Sequence, residues 1–446
     1  MYKKYKKNNK KLQEYAHKII PGLSGLLGKR PEMYLPGGTW PTYYSKAKGI
    51  HIWDLKGKKY SDFTMLGVGS CVLGYSDPEI NEIAKKVISE GPLTTLNPPE
   101  EIILAEKLLD IHKWADQVKF ARTGGEMVAV AVRLARSYTK REKILICGYH
   151  GWHDWYLAAN ITGNRNLNNH LLPGLDPKGV PKGLKKTVIP FNFNNFADIK
   201  NIVKKQAAEA AAIILEPARN TLANKTFLQA LRSICDQNGC VLIFDEITCA
   251  WRNDTSGIHK ELGVNPDLAT FGKTMANGIP MSAIIGKKEI MGEAKNTFIS
   301  STNWTERLGP ACSIAFLNKH KRLRLGKILQ KNGEKIRKIW SDAADNADLE
   351  IKMSGILPLS SFKIISDKKE DKWPAIITYF IQEMLKHNIL ASDRCFSNYC
   401  QTEKELSKYK KACDKIFKKI SYLTSKNKIE ENLEGPVKQM GFKRLN

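Results

Sequence analysis

From about Val118 the chain alternates short apolar runs with helical stretches, and few folds accept that alternation. Lys143–Cys147, Ala211–Glu216, Val241–Asp245 and Met281–Ile285 have strand length and are largely apolar, while residues 125–138 carry apolar positions at helical spacing. Strands without polar alternation have to be covered on both faces. The pattern predicts an α/β fold, a mainly parallel sheet with helices on either side. In open sheets of this kind ligands bind outside the carboxyl ends of the strands. Two of the runs end in acids, Glu216 and Asp245, and Lys273 follows in Phe271-Gly272-Lys273-Thr274.

A chain of 446 residues can bury a large core, and two packed domains are the natural expectation. Hydrophobic residues make up 42%, far from the composition of a disordered chain even at a net charge of +26. No apolar run reaches the length of a membrane span. The basic start, Met1-Tyr-Lys-Lys-Tyr-Lys-Lys, lacks the apolar core of a secretory signal. Nine scattered cysteines without a C-x-x-C pair argue against a zinc site or disulfide framework and for a reducing, cytoplasmic setting. The basic residues are spread along the chain, and no RNA- or DNA-binding signature accompanies them. A lysine-rich solvated surface therefore explains the charge better than nucleic-acid binding does; it leaves a field that draws anionic substrates toward a cleft.

The remaining pattern is consistent with a second domain. Residues 1–18 read as a mobile or helical arm. Residues 49–64 alternate around Lys56-Gly57-Lys58, which predicts a β-hairpin. Ser76-Asp77-Pro78 opens a helix whose stripe is Ile80, Ile83, Ala84, Val87 and Ile88, closed by Gly91; a second helix is expected from Pro99 through Leu109. After about Lys319 longer helices dominate, with strands expected within Lys352–Ile365 and Ile389–Ser392. Thr402-Glu-Lys-Glu405 is a capping box opening a last amphipathic helix, and Ser425–Asn446 reads as a loose polar tail.

An acid at the end of a buried strand and a lysine after a later one suit pyridoxal 5'-phosphate (PLP), whose aldehyde is held on a lysine and whose ring nitrogen is kept protonated by an acid. Around the pair stand Trp251-Arg252, Gly263-Val-Asn-Pro-Asp267, Asn277-Gly-Ile-Pro280, Ala283-Ile-Ile-Gly286 and Tyr149-His150-Gly151-Trp152-His153-Asp154-Trp155. From about Gly37 to about Ile420 the chain resembles the class III PLP-dependent aminotransferases, and more closely their glutamate-1-semialdehyde 2,1-aminomutase-like branch. The resemblance implies fold type I, the aspartate aminotransferase type. A large PLP-binding domain with a mainly parallel seven-stranded sheet would span 92–318. A smaller α+β domain would combine 1–91 with 319–446. It implies transfer of an amino group between a small amino donor and an aldehyde or ketone, or the intramolecular 2,1-aminomutase version of it.

In that resemblance Lys273 carries the cofactor as a Schiff base and then moves a proton between the substrate α-carbon and the cofactor. Asp245 pairs with the pyridine nitrogen, Ile247 lies beneath the ring and Tyr149 stacks on it. Thr123, Gly124 and Gly125 open a helix whose free amides hold the phosphate. Glu216 is an acid near the Lys273 linkage. Thr305, or its close rival Thr302, reaches the phosphate of a partner subunit, which implies a homodimer with shared active sites. His150 and His153 are assigned to loop anchoring, with no metal, and Glu246 to orienting Asp245 or a neighbouring loop.

The chain also departs from the family. Arg122-Thr123-Gly124-Gly125-Glu126-Met127 replaces the usual Asn-Ser-Gly-Thr/Ser-Glu-Ala, removing one hydroxyl at position 125. Thr221 stands where many members carry a second glutamate, and Thr248 replaces a frequent Gln or Met, so an acidic gate is not expected. Arg219 reads equally as a carboxylate or phosphate grip and as a solvated surface arginine. A catalytically silent PLP-fold binding protein ranks below the enzyme because both Lys273 and Asp245 are present.

Overall fold

The computed structural model describes residues 9–163, 166–170, 173–253, 257–365 and 371–442. The chain forms two compact units, Pro78–Lys327 and a discontinuous one of Met1–Asp77 with Ile328–Asn446.

The continuous unit is built on a seven-stranded sheet of β1 (Gln117–Ala121), β2 (Lys143–Cys147), β3 (Val188–Pro190), β4 (Ala210–Leu215), β5 (Val241–Asp245), β6 (Leu268–Phe271) and β7 (Ser282–Gly286), in the order β1-β7-β6-β5-β4-β2-β3. Five neighbours from β6 to β3 run parallel, and β7 is antiparallel to both β1 and β6. Alternation of side chains across the strands divides the core in two. Ile144, Ile146, Ala212, Ile214, Val241 and Ile243 meet Val128, Ala131 and Leu134 of helix α3 (Gly124–Thr139) on one face. Leu145, Ile213, Leu215, Leu242 and Phe244 meet Phe227, Leu228 and Leu231 of helix α4 (Lys225–Asn238) on the other. Burial on both faces is the reason these strands carry no polar alternation.

Helices α1 (Pro78–Glu90) and α2 (Glu100–Ile111) belong to this unit, which moves its start from the expected residue 92 to residue 78. Ion pairs show why. Arg307 reaches Glu90 at 2.7 Å and Glu100 at 2.9 Å, and Lys319 of helix α5 (Leu308–Leu323) meets Glu79 at 3.0 Å. At the far end the boundary falls at Lys327 rather than residue 318, because α5 packs within this unit.

The other unit contains the expected hairpin, His51–Asp54 paired with Lys59–Phe63, extended by Tyr44–Lys48 and, in parallel, by Ile389–Ala391. A three-stranded antiparallel sheet comprises Ile351–Ser354, Leu359–Ile364 and Arg394–Phe396. Its core gathers Trp340, Phe362, Phe380, Tyr409 and Phe417, with the Trp340 indole donating to the Tyr409 hydroxyl at 2.9 Å. Thr402 caps the helix Glu403–Ser425, but the reciprocal half of the capping box is missing. The Glu405 carboxylate instead accepts from the Ser61 hydroxyl at 2.9 Å and lies 3.6 Å from His51.

Of the two expectations for the N-terminal arm, mobile or helical, the described part is helical. A helix spans Asn9–Ile19, and Asn9 donates to the Trp40 carbonyl at 2.7 Å; residues 1–8 of the expected arm lie outside the described residues. The expectation of a loose tail is corrected: Ile429 and Lys438 are buried, and the Gln439 amide donates to Glu32 at 2.7 Å. Tail residues 443–446 lie outside the described residues.

Candidate active site

The carboxyl ends of β4, β5 and β6 carry Glu216, Asp245 and, two residues beyond its strand, Lys273. Adjacent parallel strands in register bring them together: Asp245 lies opposite Thr270, and Leu215 opposite Phe244.

Asp245 is buried with its oxygens accounted for. Oδ2 meets His150 Nδ1 at 2.9 Å, while Oδ1 accepts from the Ile247 amide at 3.1 Å and the Thr270 hydroxyl at 3.4 Å. His150 therefore orients Asp245, a role its own segment did not disclose; the two lie 95 residues apart in sequence. Its other nitrogen, Nε2, is buried without a hydrogen-bond partner. Glu246 does not orient Asp245. It accepts from the Ile258 and His259 amides and from His259 Nδ1 at 2.8–2.9 Å, fastening the neighbouring loop. Trp114 donates its indole proton to His259 Nε2 at 3.0 Å, so His259 carries its own proton on Nδ1.

Lys273 adopts φ 44°, a left-handed conformation uncommon outside glycine and held here by the turn into Asn277-Gly278. Its Nζ donates to the Thr248 hydroxyl at 2.8 Å. Burial, then the Arg219 guanidinium, push the amine down to about 8 against the opposing pull of Glu216 and Asp245. Thr248 is thus a direct partner of the lysine; the sequence marked it only as a departure from the family.

Glu216 is buried and accepts from the Tyr149 amide at 2.9 Å and from Arg219 at 3.1 Å. Burial pushes its carboxyl up, but Arg219, His150 and the Tyr149 amide outweigh it, and the net shift is downward. Arg219 is not a solvated surface arginine. It also donates to the His170 carbonyl at 3.3 Å and sits 5.8 Å from the centre of the Tyr149 ring. Tyr149 packs edge-on against Tyr156 at 5.8 Å.

Helix α3 begins at Gly124, with Thr123 as its cap. The Thr123 hydroxyl accepts from the Glu126 amide at 3.4 Å, and Glu126 returns to the Thr123 amide at 2.8 Å. A Cβ on Gly124 would stand 2.7 Å from Ile247 Cδ1, and one on Gly125 3.0 Å from the His153 ring. The two glycines thus keep the helix start, Ile247 and the His153 loop in one cradle. Arg122, the other departure in this motif, has a structural use. It donates to the Trp304 and Glu306 carbonyls at 2.9 and 2.7 Å and pairs with the Glu306 carboxylate at 2.8 Å. It thereby fastens the segment carrying Thr302 and Thr305, both exposed and outside this cluster in the single chain.

The donor set fits pyridoxal phosphate: an amine able to lose its proton near neutrality, a buried carboxylate held from behind, and helix-start amides in a glycine cradle that a Cβ would fill. Among the described residues no cluster of three or more His, Cys, Asp or Glu is placed to hold a metal ion.

Comparison with known proteins agrees with this geometry. The family model for class-III aminotransferases matches residues 36–422. The 3-aminobutyryl-CoA aminotransferase of Cloacimonas acidaminovorans (strain Evry) is 28% identical over 389 residues, 85% of this chain and 88% of that protein. The glutamate-1-semialdehyde 2,1-aminomutase of Polynucleobacter asymbioticus is 36% identical over 293 residues, 64% of this chain and 66% of that one. The FumI protein of Sphingopyxis sp. MTA144, solved in a PLP-bound form, shares the fold with a TM-score of 0.83 at 24% identity, covering 94% of this chain and 97% of that one. The chain belongs to the class-III aminotransferases, PLP-dependent enzymes that transfer amino groups, and has their fold type I architecture.

Proposed function

We propose that this enzyme moves an amino group between two separate small molecules, an amino donor and an aldehyde or ketone acceptor, with Lys273 as its central residue. The observation that carries this is the Lys273 amine, pushed down to about 8 beside the buried Asp245. The match to an aminotransferase over 85% of the chain, against 64% for the aminomutase, favours the intermolecular reaction.

When bound, PLP supplies an aldehyde that links covalently to amines and a ring that takes up the electron pair left by a departing α-proton. Asp245, aimed by His150, would face the ring nitrogen and hold its proton. Lys273, its amine lowered to about 8, would hold the aldehyde and would carry the proton lost from the substrate α-carbon, with the Thr248 hydroxyl as its resting partner. The amides of Gly124 and Gly125, with Thr123, would hold the phosphate, and Ile247 and Tyr149 would line the ring. Glu216, locked to Arg219, would place a carboxylate near Lys273 once the cofactor is held there.

A homodimer is part of this reading. Phe298 (84% exposed), Leu96 (81%) and Trp152 (71%) leave large apolar side chains uncovered, as an interface would. Thr302 and Thr305 are exposed, and the Thr305 hydroxyl, now donating to the Thr302 carbonyl at 3.3 Å, would have to turn outward to reach a partner's phosphate. A cytoplasmic setting is supported by nine free cysteines; no helix among the described residues is long and apolar enough to cross a membrane.

The test is the near-visible absorption of the protein with PLP, before and after single amino donors, beside Lys273→Ala. A lysine-linked band that a donor bleaches, absent in the variant, is the expected result, with turnover reduced by at least ~100-fold. A wild-type protein without that band would instead be a silent member of the fold.

A further inference from the structure

Beside Glu216, at the carboxyl ends of β2 and β4, lies a cavity of about 110 Å³. That is well above the roughly 10–15 Å³ one water needs on this measure, so it admits a short polar fragment. The cation on its wall, Arg219, already faces the Glu216 carboxylate at 3.1 Å. A substrate carboxylate brought here would set a second anion beside Glu216, both sharing one guanidinium, with its own desolvation uncompensated.

The other polar lining is neutral and offers both donors and acceptors. His170 Nδ1 accepts the Gly148 amide at 3.0 Å, which leaves the proton on Nε2 as a donor. Burial lowers this imidazole to about 4, so it is uncharged in the working range. Asn192 ties its amide nitrogen to Asp198 at 2.9 Å and keeps its oxygen as an acceptor. Asn169, Asn220 and Thr221 add groups of both kinds, and Phe193 provides an apolar wall. A hydroxyl both donates and accepts and can satisfy such a mixed lining. A carboxylate only accepts, and would leave the acceptors facing it unpaired.

We propose that this pocket selects the carbonyl substrate by an uncharged, hydroxyl-bearing terminus, so that the acceptor is a hydroxylated aldehyde or ketone rather than an oxo-acid. The assignment rests on the amino-transfer reading above and names the substrate class for that site.

The experiment loads the full-length PLP enzyme with an amino group from a donor that bleaches its band. It then measures kcat/KM for three four-carbon aldehydes, erythrose, butanal and succinic semialdehyde, each corrected for its free aldehyde. Erythrose is expected to exceed both others by roughly tenfold to a hundredfold. Thr221→Glu, which adds a negative charge to the lining, is expected to lower the erythrose value by about tenfold while changing the butanal value less. Asn220→Ala, which removes hydrogen bonding without charge, shifts the same ratio in the same direction. Equal rates on all three aldehydes, or a preference for succinic semialdehyde, overturn the pocket assignment and leave amino transfer standing. A protein that forms no Lys273-dependent band with PLP overturns both.

Discussion

Lys273 makes the cofactor-free protein sensitive to pH in a definite direction. Its amine sits at about 8 in the fold against an ordinary 10.5. Between those values the unfolded chain binds a proton that the folded one does not, so stability rises with pH across the window; below about 8 the full cost of burying the ammonium is present. Thermal unfolding of the cofactor-free protein at several pH values should show this rise, and Lys273→Met should remove it. PLP capture, which needs the neutral amine, should instead accelerate below that window, as pH rises toward 8, and then level off. His150→Gln tests the other partner. Losing a hydrogen bond to a charged group costs about 1.5–3 kcal/mol, so PLP affinity should fall roughly tenfold to a hundredfold. An unchanged dissociation constant would show that Asp245 is held well enough by Thr270 and the Ile247 amide. At this scale Asp245 and Lys273 were legible, because each follows an apolar strand-length run. The His150 contact to Asp245 and the Thr248 contact to Lys273 were not, since nothing local in either segment records which strand ends become neighbours.

Helix starts and close packing decide matters at the scale of elements. Gly124 and Gly125 were read as opening a helix whose amides hold a phosphate; their immediate neighbours are Ile247 and His153, so they also allow α3 to close against two loops. The helix Leu325–Asp345 shows the same device in the discontinuous unit. A Cβ on Gly333 would land on the Leu357 carbonyl, whereas one on Gly292 meets nothing within 4 Å. Gly333→Ala should therefore destabilise by about 1–3 kcal/mol, read as a drop in melting temperature. Gly292→Ala should leave it nearly unchanged, and equal shifts for the two would contradict the packing argument. The half-formed capping box at Thr402 has a similar origin. Its sequence pattern was plain, but Ser61, more than 300 residues away, supplies a competing donor for Glu405.

For the whole molecule, the exposed apolar side chains make a prediction about assembly. Leu96→Asp combined with Phe298→Asp should turn a dimer into monomers in sedimentation experiments and reduce activity by removing the partner's threonine from the site. Monomeric wild-type protein with full activity would refute the shared-site dimer. The unit boundaries belong to this scale too. Gly91 marks the end of α1 correctly, yet a helix end is not a domain edge. Arg307, placed by tertiary folding between Glu90 and Glu100, binds that helix to the larger unit.

The amino-acid sequence by itself determined the α/β class, the seven-stranded sheet through its family resemblance, four of the strands along the chain and the candidate pair of Lys273 with Asp245. The class and the candidate pair follow from hydrophobic periodicity and short motifs, which are local properties; the strand count came with the resemblance. Only the tertiary structure decided that His150 backs Asp245, that Arg219 spends its charge on Glu216 and that Arg122 fastens the 302–306 segment. It also ordered the C-terminal segment, through burial of Ile429 and Lys438. The reason is physical: which charges meet depends on strand register and loop closure, and those contacts join residues that the chain separates by up to hundreds of positions.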